Sequence, residues 1–131
     1  MHKITPQGQV TTFAEGEQVN RPNGIAIDGQ GNIVVVLIGT DDVLTYSPDG
    51  KLAKTEKSTD AGNDGLVILA DGTKLISSVQ RGTVARISPN QPAEAIATDI
   101  PNAASMAYDS KRNQLVIPQN QQNAITIVQV R

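Results

Sequence analysis

The strongest constraint on this chain is that it repeats. Tyr46-Ser47-Pro48 returns one period later as Ile87-Ser88-Pro89, and Ile4-Thr5-Pro6 stands at nearly the same distance before it. Gly24 and Gly65, and likewise Gly31 and Gly72, share the spacing of Pro48 and Pro89, so the first two full units align without a gap. In the third unit Pro101-Asn102 corresponds to Pro22-Asn23, and Asn123-Ala124-Ile125 to Gly82-Thr83-Val84, with a short insertion between the two matches. Units this short cannot bury an apolar face alone, so the fold must come from stacking one on the next.

Each unit reads as four short strands. In the first, Gly24 to Asp28 is followed by the tight turn Gly29-Gln30-Gly31-Asn32, where glycine accepts positive φ. Ile33 to Ile38 is an unbroken apolar run, the pattern of a strand covered on both faces. Val43 to Tyr46 follows, then the Pro48-Asp49-Gly50 turn and a polar strand from Lys51 to about Lys57. The second unit repeats this order over Leu66 to Leu69, Lys74 to Val79, Thr83 to Ile87 and Glu94 to Thr98. No stretch has sustained helical periodicity.

Four strands per unit of about 40 residues, apolar inside and polar outside, predict the blades of an all-β propeller. A β-sandwich of similar strand count is the alternative. Blade 1 is expected over residues 21–57, blade 2 over 62–98 and blade 3 over 100–131, with an outer strand at 9–14. That gives one strand, two four-stranded blades and a three-stranded one, twelve in all, within a single 131-residue unit. Propellers close with about 4 to 8 blades, so three are half of a six-bladed ring.

Composition removes several functions. There is no cysteine, and the single histidine is His2, so disulfide frameworks, thiolate nucleophiles and histidine-built zinc or triad sites are excluded. Eleven basic and thirteen acidic residues give a net charge of -2, scattered along the chain, and Phe13, Tyr46 and Tyr108 lie far apart. Neither a phosphate-tracking groove nor a base-stacking platform is indicated, so no nucleic-acid partner is expected. No apolar run reaches the ~20 residues of a membrane span, and Met1 to Pro6 leads into no signal-peptide core, so no membrane partner and a cytoplasmic location are expected of the chain as it stands.

Pro22 to Asp28, Asp64-Gly65-Leu66, Gly82 to Ile87 and above all Ala107 to Pro118 resemble the bacterial regucalcin/gluconolactonase-like family of six-bladed propellers. The Pro-Asn-Gly and Ser-Pro-Asp-Gly elements also resemble NHL-type propellers. Family members are about twice this length, so the resemblance implies the C-terminal three blades. It also implies a central pocket with a divalent cation held by a Glu, Asn residues and an Asp, frequent export, and hydrolysis of small lactones. By position Asn23 matches an Asn ligand and Asp64 the Asp ligand, whereas Asn102 is only a structural equivalent. No glutamate matches, since Glu15 and Glu17 precede Asn23 by several residues.

Oxygen donors of this kind suit calcium or magnesium, with calcium the expected ion. Asp64 is the candidate catalytic base, and Arg81, Asn102 and Gln119 are candidate contacts to a small-molecule ligand on the same face. The alternative for Pro22-Asn23-Gly24 and Asn63-Asp64-Gly65 is a pair of turns whose side chains bond their own backbone. Asp41-Asp42 reads as a solvated loop or an acidic lip, Ser77-Ser78 as a polar strand end, and Lys111-Arg112 as a turn in the outer part of blade 3.

An open half ring exposes apolar blade faces, so a homodimer is expected, with Gln9 to Ala14 of each chain completing the last blade of the other. A metal-dependent lactonase, a noncatalytic propeller binding a peptide or small ligand, and a natural or engineered fragment whose role is self-assembly are the three readings left open.

Overall fold

The computed structural model describes residues 1–130, and every regular element in it is a strand. A hairpin of β1 (His2–Ile4) and β2 (Val10–Thr12) opens the chain. Blade 1 is β3 (Pro22–Ile27), β4 (Ile33–Leu37), β5 (Asp42–Tyr46) and β6 (Leu52–Lys57). Blade 2 is β7 (Asn63–Ile68), β8 (Lys74–Ser78), β9 (Thr83–Ile87) and β10 (Glu94–Ala97). Blade 3 has β11 (Ala107–Asp109), β12 (Gln114–Gln119) and β13 (Ala124–Gln129). Within each sheet, consecutive strands pair antiparallel in chain order. Thirteen strands are described where twelve are expected, because residues 2–4 form a strand of their own by pairing with β2.

The turns are set by local chemistry. Between β3 and β4 the Asp28 carboxylate accepts the N–H groups of Gln30 and Asn32, each at 2.9 Å, and Gly31 takes φ 83°. The same turn in blade 3 has Asp109 accepting from Lys111 at 3.0 Å, with Asn113 at φ 53°. Asn replaces Gly there because its short polar side chain tolerates the left-handed region. Lys111-Arg112 is thus a turn, but it joins the first two strands of blade 3 and not its outer part; Arg112 pairs with Asp109 at 2.9 Å.

Three apolar seams hold the blades. Val34, Val36 and Val43 of blade 1 meet Ile76, Ala85 and Ile87 of blade 2, with Leu66 and Ile68 packed against them. Leu75 and Val84 of blade 2 meet Leu115, Ile117 and Val128 of blade 3. Val35, Leu37, Leu44 and Tyr46 form the third seam with Met1 and Phe13 of the opening hairpin, where the Phe13 and Tyr46 rings meet edge-on at 5.9 Å. The second strands of blades 1 and 2 are packed from both sides, β4 as its unbroken apolar run requires, whereas β12 of blade 3 is packed on the Leu115 and Ile117 face alone. Among the described residues no helix is long and apolar enough to cross a membrane.

Candidate functional site at the start of the inner strands

The first strands of blades 1 and 2 begin earlier than the glycines suggest, so Asn23 and Asp64 lie within β3 and β7. Proline is tolerated at position 22 because β3 is an edge strand and Pro22 its first residue. Glycine follows because the inner strands run close together. A Cβ on Gly24 would overlap the Asp64 carbonyl oxygen, and one on Gly65 would come within 2.9 Å of Met106 N and 3.0 Å of Ala104 O. Neither glycine has positive φ, so their role is close approach and not turning.

This convergence brings side chains from three blades together. Asn23 Nδ2 donates to Asp64 Oδ2 at 3.2 Å, and Ser105 Oγ donates to Asp64 Oδ1 at 3.2 Å. The alternative of local turns does not hold: among the described residues these side chains bond across blades and not to their own backbone. Among the described residues no ion pair involves Asp64, and the side-chain donors to its carboxylate, Asn23 and Ser105, are both neutral. Just behind it, Ser77 Oγ accepts from Gly65 N at 2.8 Å and donates to Ala104 O at 2.6 Å. That fully buried hydroxyl on β8 ties β7 to the segment that leads into β11 of blade 3, and so fixes where Asp64 stands. Asn63 is also fully buried; its Nδ2 reaches Thr40 O at 3.4 Å while its Oδ1 has no partner among the described residues.

Asn102 is placed differently from expectation. The bridge Ala103↔Gln119 takes the place of the pairs Pro22↔Leu37 and Asn63↔Ser78 in the other blades. Asn102 thus corresponds to Arg21 and Gly62, and all three are left-handed, at φ 54°, 55° and 83°. Its side chain donates to Gln122 Oε1 at 3.2 Å, away from Asp64. The third blade's contribution is Ser105, which sequence reasoning missed. It stands 41 residues after Asp64, as Asp64 does after Asn23, and that exact-period signal is hidden by the irregular start of blade 3.

The remaining candidates lie on the rim. Gln119 ends β12, half-buried, in the bridge to Ala103. Arg81 is exposed in the loop after β8; its backbone N–H donates to Ser78 Oγ at 3.1 Å, and its guanidinium has no partner among the described residues. Asp41 and Asp42 are not a free acidic lip, since Lys57 Nζ lies 2.8 Å from both. The Lys57 hydrogen bond, with help from Thr40, holds the Asp42 carboxyl below its usual range.

In donor type, the carboxylate of Asp64, the amide of Asn23 and the hydroxyl of Ser105 fit a hard cation. In number they fall short of the roughly six to eight oxygens calcium takes. Among the described residues no group of three or more His, Cys, Asp or Glu side chains is assembled for a metal.

No family model and no curated protein matches the sequence. Solved structures match by shape. Virginiamycin B lyase from Staphylococcus aureus superposes with a TM-score of 0.72 at 14% identity, over 98% of this chain and 48% of its own. A streptogramin B lyase gives 0.73 at 13% identity, over 98% and 47%. A gluconolactonase from Xanthomonas campestris gives 0.71 at 16% identity, over 99% and 44%. The chain therefore spans about half the length of these neighbours. At such identities the likeness is one of fold, and together with the meander sheets and the period of the sequence it makes this chain a partial β-propeller.

Proposed function

We propose that this chain is part of a gluconolactonase-like propeller that binds a divalent cation, calcium, and a small lactone at the axial ends of its inner strands. The observation that carries the reading is the Asp64 carboxylate, held by Asn23 and Ser105 from the two neighbouring blades and, among the described residues, paired with no cationic side chain. Asn23 Oδ1, Asp64 and Ser105 Oγ would hold the ion, and waters or residues from further blades would fill the sphere. A bound cation of this class polarises a carbonyl oxygen. The chain's own part is to orient and to move a proton: Asp64 takes the proton from the water that attacks the lactone carbonyl carbon, and returns it to the ring oxygen as the ring C–O bond breaks to give the hydroxy acid. Arg81 and Gln119 on the rim offer donors to a ligand carboxylate or hydroxyl.

A second reading is a noncatalytic propeller that recognises a peptide or small ligand. The amide cluster of Asn102, Gln121 and Gln122 favours it, as does the lack of a matching glutamate. Calorimetric titration with calcium decides first. Wild type should bind and Asp64→Ala should bind at least ~10-fold more weakly, since the site loses its only carboxylate. Absence of binding to the wild type overturns the cation site, and binding without hydrolysis of a lactone panel moves the assignment to the second reading.

A further inference from the structure

We propose that the two open ends of the blade array pack against each other in a second copy of this chain, closing one six-bladed ring, and that β2 exchanges β1 for β13 of the other copy. This inference stands apart from the cation site, because it rests on the seams. Ile25 and Ile27, one period before Leu66 and Ile68, occupy the same face of blade 1 as those two do of blade 2. Leu66 and Ile68 are packed against Val34, Val36 and Val43, whereas Ile25 and Ile27 are 62% and 70% exposed. At the other end Val116 and Ile125 follow Leu75 and Val84 by the same period. Leu75 and Val84 are fully buried against blade 3, while Ile125 is 67% exposed.

The chain itself thus displays what covers each end: the exposed face of blade 3 is the kind that receives the exposed face of blade 1. Each end also carries an apolar groove, one of about 280 Å³ lined by Phe13, Ile25, Ile27 and Ile33, the other of about 420 Å³ lined by Met106, Val116, Pro118 and Ile125. The contact joins unlike surfaces, so it must either close or run on as a filament. One copy has three complete or nearly complete blades, two have six and three have nine, and only six lies within the ~4 to 8 blades of closed propellers.

Strand inventory sharpens the proposal. By its Ile4-Thr5-Pro6 sequence β1 is a third strand, and β13 is the third strand of blade 3. One blade has room for one third strand. β1 offers three residues, all exposed, whereas β13 offers six with its outer edge unpaired. The longer strand gives β2 the better partner and removes the open edge. Closure would also set Asn23 of one copy beside Ser105 of the other, extending the oxygen-lined ring.

Light scattering should give a mass twice the 13.8 kDa of one chain. Ile27→Asp and Ile125→Lys alter exposed side chains at facing ends, and each alone should yield a folded monomer with unchanged circular dichroism. Mixing the two variants should restore dimers, because one seam is then unaltered and the other sets Asp against Lys. A chain lacking residues 1–5 should still dimerise. A wild-type monomer, as expected if further blades come from a longer chain, overturns the proposal, as do open-ended masses or a mixture that stays monomeric. Loss of the dimer on removing β1 overturns the strand exchange.

Discussion

The seam between blades 2 and 3 and the open face of blade 3 are built from the same positions of the repeat, yet they meet opposite fates. Val84 is fully buried and Ile125, its counterpart one period on, is 67% exposed. The side chains are equally apolar and both sit on the third strand of a blade. What differs is the neighbour. A repeat protein writes one interface into every unit, and the last unit presents it to whatever comes next.

The comparison breaks most sharply by truncation. Leu75→Ala removes a fully buried side chain from the centre of the seam and should destabilise the protein by ~2 to 5 kcal/mol. Ile125→Ala, in urea unfolding on the monomeric Ile27→Asp background, should change stability by under ~0.5 kcal/mol, as surface substitutions do. If the two variants had equal midpoints, the open face would be covered in the molecule being measured. Gly65→Ala comes next, because its Cβ would press on Ser77 Oγ at 2.8 Å and on the blade 3 backbone. Overpacking of this kind costs ~1 to 3 kcal/mol. Since Asp64 is the adjacent residue, calcium affinity should fall with stability.

Ser77→Ala probes the polar part of the same seam. It leaves Gly65 N–H and Ala104 C=O buried without their shared partner, a loss of ~1 to 3 kcal/mol. Ser77→Thr or Ser77→Cys should recover less than half of it in thermal melts, since the site is fully buried and a larger atom must be fitted. Full recovery by cysteine would mean that the hydroxyl fills space and that its hydrogen bonds matter little.

Much of the fold is legible in the sequence because the apolar runs, the turn glycines and the Ser-Pro elements recur at one period, and each element reinforces the others. The site is less so. Pro22, Gly24 and Gly65 carry the chemistry of turns, yet they serve an edge strand and a close approach of inner strands, which only the packed blades reveal. Asn102 resembles a third Asn23 because Pro-Asn is repeated, while strand register puts Asn102 in the left-handed place of Gly62. Ser105 has no motif around it. The β1 strand is hidden because three residues are too few to show alternation.

The smallest expected effect concerns the rim of the seam between blades 1 and 2. Lys74 of β8 crosses it to Glu56 of β6 at 2.9 Å, and Lys54 reaches the same carboxylate at 2.8 Å. Burial alone would raise the Glu56 pKa, but the Lys54 hydrogen bond and the neighbouring Lys74 charge outweigh it and hold the carboxyl below its ordinary value of 4.5. A carboxyl depressed in the folded state contributes stability above its unfolded pKa, and loses it as pH falls through the folded value. Glu56→Gln should therefore lower stability by about 1 kcal/mol at neutral pH and by progressively less below pH ~4.5, the two melting curves converging in acid. The open end gives the control: Ile33, one period before Lys74, carries no charge to pair with the hairpin, so acid should loosen the inner seam while leaving the packing of Phe13 on Tyr46 unchanged. A Glu56→Gln difference that persists undiminished at low pH would show that the side chain acts through packing and not through its charge.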